Sequence, residues 1–293
     1  MEKDSRATGV ALVLSAGFFG FFAHAGFLIA LDELRIGYRA IAGSSAGALV
    51  AAFAAAGMQP RDIARLLVSL KKEDFWDPPG IFGIARAVLR RGRGWSGYLA
   101  GDRFEELVER HLPVKTFEQC ARKLYITALN LTEGGDETFF EGPIAEKVRA
   151  SCSYPFLFST KRIGRSQYWD GGVTAKVPME VMVERERPQL TIVHYLESAS
   201  SEEPGEIMDR PLAPLKLVDR AMSIARREIE QSRRNAHDRL CQGSIRYITP
   251  ELPRSGPDRL HLGAEIIERS REQAVRALSD CGRPGAACPA SPG

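Results

Sequence analysis

Ile41-Ala-Gly-Ser-Ser-Ala-Gly-Ala-Leu-Val50 carries an apolar strand into an alanine-rich helix through Gly43-Ser44-Ser45-Ala46-Gly47, a GxSxG pattern. A serine at the tip of a tight strand-to-helix turn holds its hydroxyl above the sheet, and small neighbours let the backbone reverse without clashes. Ser45 is therefore the candidate nucleophile, with Gly43 and Gly47 as the glycines of the elbow. A pattern with so few fixed residues arises by chance in roughly one chain in ten of this length. Its weight comes from the flanking strand and helix.

Upstream of this turn there is room for one strand, Val10 to Leu14, followed by the small-residue turn Ser15-Ala16-Gly17 and an apolar helix. An α/β-hydrolase elbow normally follows several strands and precedes an acid and a histidine, so that chain order does not apply. Downstream lie Ala150-Ser-Cys-Ser-Tyr-Pro155, with an apolar strand behind it, and Tyr168-Trp-Asp-Gly-Gly172. These three motifs, in this order, resemble the patatin-like phospholipase family. The resemblance runs from about Gly9 to at least Pro178 and more loosely through a strand near Leu190 to Glu197 and helices to about Leu278.

The resemblance implies a three-layer α/β fold with a central, mostly parallel sheet and helices on both faces. It pairs Ser45 with Asp170 as a Ser-Asp dyad, with Gly171 and Gly172 completing the turn after the aspartate. It assigns the oxyanion hole to backbone donors near Gly17 and Phe18, together with Ala46. The implied activity is hydrolysis of lipid esters, of a phospholipase A or lysophospholipase kind, with no metal or organic cofactor. The first loop departs from the family's glycine run and basic residue: Ala16-Gly-Phe-Phe-Gly-Phe21 keeps one matching central glycine and has no Arg or Lys. Backbone donors survive such changes, because every non-proline residue has an N–H. A catalytically weak lipid-binding protein is the alternative that this loop raises.

Bulk properties fit one α/β domain, expected over residues 9–280: the chain has 293 residues, 44% of them hydrophobic, and alternating strand and helix signals. Residues 281–293 are rich in Gly, Pro, Ala and Ser and are expected to be a disordered tail. A net charge of +3 gives no ground for nucleic-acid binding. The charged N-terminus lacks a secretory signal pattern, and the apolar stretch Ala16 to Leu31 contains His24 and falls short of the roughly 20 residues a bilayer span needs. The expectation is a cytoplasmic protein, with peripheral membrane contact left open. Five cysteines without a CxxC pair point to reduced structural thiols, Cys152 read as a small buried residue, and no EF-hand-like loop points to calcium. Gly17 and Gly20 give only GxxG, without the pattern of a nucleotide-binding module.

The five histidines test a conventional triad. His24 reads as structural within the first helix, His111 and His237 as exposed, His194 as part of a strand, and His261 as the start of a helix; none has a catalytic motif around it. A dyad is demanding, because an ordinary aspartate with a pKa of about 3.9 is a poor base toward a hydroxyl. Burial of Asp170 would raise its basicity, and the positive end of the elbow helix would favour the oxyanion. Two basic segments stand out. In Phe75 to Trp95, apolar residues alternate with Arg86, Arg90, Arg91 and Arg93, which suits an anionic lipid surface, one wall of an acyl groove, or a packed helix with solvated arginines. The Arg-rich helix from Val218 to Leu240 reads as a solvated, salt-bridged surface.

Overall fold

The computed structural model describes residues 9–78, 80, 89, 93–197, 213–253 and 255–279. The expected tail at 281–293, together with Arg86, Arg90 and Arg91, lies outside the described residues. In chain order the strands are β1 (Val10–Leu14), β2 (Ala40–Ser44), β3 (Gly97–Leu99), β4 (Lys123–Asn130), β5 (Gly135–Phe139), β6 (Phe156–Phe158), β7 (Lys161–Ile163), β8 (Ser166–Asp170), β9 (Leu190–His194) and β10 (Ser244–Ile248). The helices are α1 (Phe21–Glu33), α2 (Ala46–Ala55), α3 (Pro60–Ser69), α4 (Lys72–Phe75), α5 (Asp102–His111), α6 (Ile144–Ser151), α7 (Ala213–Leu240) and α8 (Gly263–Ser279).

The main sheet has the order β10-β9-β1-β2-β4-β8-β7, and β5 pairs with β4 as well. Neighbours from β10 through β4 are parallel, whereas β5 and β8 run antiparallel to β4 and β7 runs antiparallel to β8. The expected mostly parallel α/β sheet is thus present. Strand alternation sorts its side chains into two layers: Leu12, Leu14, Ile41 and Ile192 pack with α1, α2, α3 and α8. Ala11, Val13, Ala42 and Val193 meet Val177, Met179 and Met182 on the other face. On that face Arg234 of α7 lies over the Tyr247 ring of β10.

Both central helices are apolar nearly all round because both are covered on all sides. From Phe22 to Leu31 every residue of α1 is buried, as is every residue of α2. Gly26 lets α1 meet α8 closely, since a Cβ there would stand 2.2 Å from the Ile267 carbonyl oxygen. Among the described residues, no helix is long and apolar enough to cross a membrane.

Pairing along β4 decides how the site is assembled. On one edge β2 pairs with Lys123 to Thr127 of β4 and ends with Ser44 opposite Thr127. β5 overlaps both β2 and β8 in its pairing with β4, so β2 and β8 must share the opposite edge. β8 begins there at the next position, with Asp170 opposite Ala128. Two strands distant in sequence therefore abut end to end, and the residues just past β2 and at the end of β8 are forced together. Gly171 sits at the junction, where a Cβ would lie 2.2 Å from the Thr127 carbonyl oxygen.

Several local expectations need correction. His237 is buried and His111 is half-buried, with its ring Nδ1 2.9 Å from the Leu107 carbonyl. The Leu260–Leu262 stretch containing His261 is a 3₁₀ turn, and α8 starts after it. α7 begins at Ala213 and buries one polar face, which a charge-rich sequence masks as solvated surface. Cys152 is half-buried as a residue, with its thiol turned inward to the Ser45 carbonyl.

The elbow's packing is directly testable. A Cβ on Gly47 would lie 2.2 Å from the Leu14 carbonyl oxygen of β1. Gly47→Ala should lower stability by about 1–3 kcal/mol through enforced strain. Gly135→Ala, at a position with no atom within 4 Å of an added Cβ, should stay within about 0.5 kcal/mol of the parent. Urea denaturation compares the two.

Candidate active site

Ser45 occupies the turn between β2 and α2 with φ 52° and ψ −120°, outside the regions favoured by residues with a Cβ. Its surroundings hold it there. The Ser45 backbone N–H donates to Ser151 Oγ at 2.9 Å, and that hydroxyl donates to the Thr127 carbonyl at 2.7 Å. The Ser45 carbonyl accepts from Leu49 N–H at 3.2 Å and from Cys152 Sγ at 3.2 Å. Gly43 gives way to the start of α2, where a Cβ would be 2.4 Å from the Gly47 oxygen. The turn points the two serines apart: Ser44 is fully buried, whereas Ser45 lines a cavity.

Ser45 Oγ donates to Asp170 Oδ2 at 2.6 Å. The other carboxylate oxygen accepts from Gly172 N–H at 2.7 Å, within the 3₁₀ turn Gly171–Val173, and Asp170 N–H donates to the Ser153 carbonyl at 3.0 Å. Only 2% of Asp170 is exposed. Burial raises its pKa to about 6, although the hydrogen bonds from Ser45 and Gly172 and the nearby Arg226 charge pull the other way. The carboxyl is thereby a stronger base than a solvated aspartate.

Ser151, Cys152 and Ser153 follow from α6, and sequence reasoning gave none of them a specific task. Ser151 fixes the elbow backbone and Ser153 fixes Asp170. Arg149, on the same helix, is almost fully buried and donates to the carbonyls of Gly101, Ala100 and Ser159 and to Ser153 Oγ. The spacing 149, 151, 153 around the end of a helix was the available signal. Burial pushes the Cys152 thiol well above its usual pKa, and Asp170 adds to that, so it is protonated near neutrality.

The first loop runs Ala16-Gly17-Phe18-Phe19-Gly20 along the cavity wall. It closes as a turn, with Gly20 N–H donating to Gly17 oxygen at 2.9 Å and Phe19 at φ 54°. A non-glycine residue there costs about 1 kcal/mol, which the packing of the Phe19 ring against Phe21 and Phe75 offsets, centroids 5.5 and 6.1 Å apart. Ala16 N–H is taken by the Lys176 carbonyl at 2.7 Å. Gly17, Phe18 and Ala46 come together with Ser45 around the cavity, and Ala46 opens α2, whose first N–H groups have no intrahelical partner. The cavity holds about 920 Å³, and its wall includes Phe18, Phe19, Phe75, Trp76, Leu157 and Phe158. Phe75 and Trp76 of the Phe75 to Trp95 segment thus form part of this wall, whereas Arg93 is exposed in a turn.

The histidines are elsewhere. His24 Nδ1 is 2.8 Å from His194 Nδ1, and His24 Nε2 is 2.9 Å from the Ser15 carbonyl. A carbonyl only accepts, so His24 carries its proton on Nε2 and accepts at Nδ1 from His194. Burial lowers the pKa of His24 to about 4 and that of His194 well below its usual value, so both are neutral. Phe27 stacks on His194 at 4.4 Å. This is a core pair beneath α1. Among the described residues, no three His, Cys, Asp or Glu side chains gather as a metal site requires.

Known proteins place this geometry in context. YqhO of Bacillus subtilis (strain 168), itself uncharacterized, is 28% identical over 201 residues, which covers 61% of this chain and 69% of that protein. The uncharacterized NTE family protein Rv1063c of Mycobacterium tuberculosis is 27% identical over 180 residues, covering 60% of this chain but only 46% of its own length. Among solved structures, VipD from Legionella pneumophila shares the fold with a TM-score of 0.51 at 16% identity, over 93% of this chain and 67% of that one. The family model described as patatin-like phospholipase matches residues 12–183, more than half of the chain and inclusive of Ser45 and Asp170. The chain belongs to the patatin-like phospholipase family.

Proposed function

We propose that this protein is a serine acyl hydrolase of lipid esters that works through Ser45 and Asp170. The observation that carries this reading is the 2.6 Å hydrogen bond from Ser45 Oγ to a buried carboxylate at the wall of a large, aromatic-lined cavity. As Ser45 Oγ attacks the ester carbonyl carbon, Asp170 takes its proton. The N–H groups of Gly17, Phe18 and Ala46 hold the oxyanion, aided by the positive end of α2. Collapse expels the alcohol, which receives the proton from Asp170, and leaves an acyl ester on Ser45. A water then attacks, giving its proton to Asp170; breakdown releases the fatty acid and returns that proton to Ser45. The aromatic walls suit an acyl chain, which burial of apolar surface would hold.

Lipid contact at the cavity mouth belongs to the same reading. Phe18 is 53% exposed, and Tyr98, also exposed, packs 6.4 Å from the wall residue Trp76. The phospholipase A or lysophospholipase assignment rests on family membership and the aromatic part of this cavity wall. A nucleic acid or organic cofactor has no part in the proposed chemistry.

Asp170→Asn keeps the shape of the side chain but cannot accept the serine proton. Turnover of p-nitrophenyl butyrate should fall by about 10²–10⁴-fold, with an unchanged melting temperature showing that the fold persists. His24→Gln, which touches no part of the dyad, losing as much activity in a folded protein would restore a histidine base and sink the dyad.

The pH profile supplies a second check. Asp170 must be ionised to accept the proton, and burial raises its pKa to about 6. Activity should therefore be full above that value and fall about tenfold per pH unit below it. An acid limb centred near the ordinary aspartate value of about 4 would show an exposed, unperturbed base.

A further inference from the structure

Asp170 closes β8, yet the sheet does not hold its backbone N–H. Leu131 N–H donates to the Gln167 carbonyl at 2.8 Å, and along an antiparallel strand the peptide groups turn alternately toward and away from the partner. Gln167 and Trp169 thus face β4, whereas Tyr168 and Asp170 face the outer edge in the β4–β8 register. On that outer edge β7 pairs no further along β8 than Tyr168. Beyond it, the outward N–H of Asp170 donates to the Ser153 carbonyl at 3.0 Å. Register brings the base to the junction, and Ser153, just past α6, sets how it sits there.

Ser153 is buried and is clamped by one residue. Its Oγ accepts from Arg149 Nη1 at 2.5 Å and donates to the Arg149 carbonyl at 2.9 Å. The rest of the guanidinium reaches away from α6: Nε donates to the Gly101 carbonyl at 3.0 Å, and Nη2 to the carbonyls of Ala100 at 2.6 Å and Ser159 at 2.9 Å. Those three acceptors directly follow β3 and β6, which pair as a separate two-stranded ribbon. Phe158 of β6 lies on the cavity wall, its ring centroid 5.2 Å from Arg149 Cζ. Gly101, at φ 84°, supplies the room, since an added Cβ would run into the guanidinium. Every acceptor is a neutral oxygen, although burying a guanidinium is costly. Its planar fork serves several directions at once, which the single ammonium of a lysine does not.

We infer that Arg149 is a positioning residue for the base: through Ser153 it holds Asp170 in line with Ser45 Oγ and ties that alignment to the β3–β6 ribbon. The inference rests on the reading of Ser45 and Asp170 as nucleophile and base. Arg149 lies behind the cavity wall and touches no reacting atom, so its effect passes through the Ser153 carbonyl alone. That is enough to matter, because a misplacement of about 1 Å at a catalytic group can cost on the order of 10²-fold in rate.

Ser153→Ala isolates the clamp, since it removes the Oγ and no charge and keeps the carbonyl that serves Asp170. With the clamp open, Asp170 should lose part of its bond from Ser45, which lowers its pKa against the burial that raises it. The carboxyl should then titrate above the parent's value of about 6. Carbon-13 NMR of the full chain with labelled aspartate carboxyls reads this directly, the Asp170 signal being the one absent from Asp170→Asn. In Ser153→Ala and Arg149→Lys the midpoint should rise by at least about 0.5 pH unit, with kcat for p-nitrophenyl butyrate down about tenfold and KM within about twofold. Ser159→Ala, which takes the 2.8 Å bond to the Ala100 carbonyl from the same ribbon and leaves Ser153 alone, should keep the parent's midpoint and kcat. A midpoint unchanged or lower in folded Ser153→Ala would overturn the inference. Equal changes in Ser159→Ala would assign the effect to the ribbon as a whole and also overturn it. If either Ser153→Ala or Arg149→Lys does not fold, the other decides. The titration needs no turnover, so failure of the Ser45 chemistry would appear separately, in hydrolysis by Ser45→Ala and Asp170→Asn, and leave the NMR result intact.

Discussion

The end-to-end junction of β2 and β8 on one edge of β4 is the constraint on which the site depends. Ser44 ends its pairing opposite Thr127 and Asp170 begins opposite Ala128, so adjacent residues of one strand set the spacing of the two functional segments. No side-chain flexibility is needed to bring the hydroxyl to the carboxylate. The junction also explains the small residues around it: Gly43, Gly47 and Gly171 each stand where a Cβ would meet backbone oxygen within 2.4 Å. Ser151 ties two of these parts together, since it accepts from Ser45 just past β2 and donates to Thr127 of β4.

This junction leaves a carboxylate almost fully buried at the wall of the cavity, with opposing consequences. Desolvation raises its pKa and makes it a better base, yet too much would leave it protonated and unable to act. The bonds from Ser45 and Gly172 and the charge of Arg226 hold it at about 6, still ionised near neutrality. The His24–His194 pair shows burial carried further: without a carboxylate partner, its two rings stay neutral and serve packing.

Much of this was legible in local sequence. The Ile41 to Val50 run shows its strand, turn and helix within ten residues, and Tyr168 to Gly172 shows a strand ending in a flexible turn. Their order supported the family, and with it the Ser45–Asp170 pairing. What the residues alone did not show was how the two meet, because β4–β8 pairing is antiparallel in a mostly parallel sheet and joins segments some forty positions apart. The first loop was misleading in another way: phenylalanine at 19 argues against a left-handed turn, and only the aromatic cluster around it shows why one persists. For α7 the charges suggested solvent, since nothing in a helix rich in arginine says which face will dock. The burial of His237 follows from that docking.

The central claim is that the turn makes Ser45, and not its neighbour, a nucleophile. Reaction of the folded protein with a fluorophosphonate probe, followed by peptide mapping, addresses it without knowledge of the natural lipid. The expected result is a single adduct on Ser45, absent from Ser45→Ala and retained in Ser44→Ala. An adduct on Ser44, or no serine adduct on a folded protein that still hydrolyses esters, would contradict it.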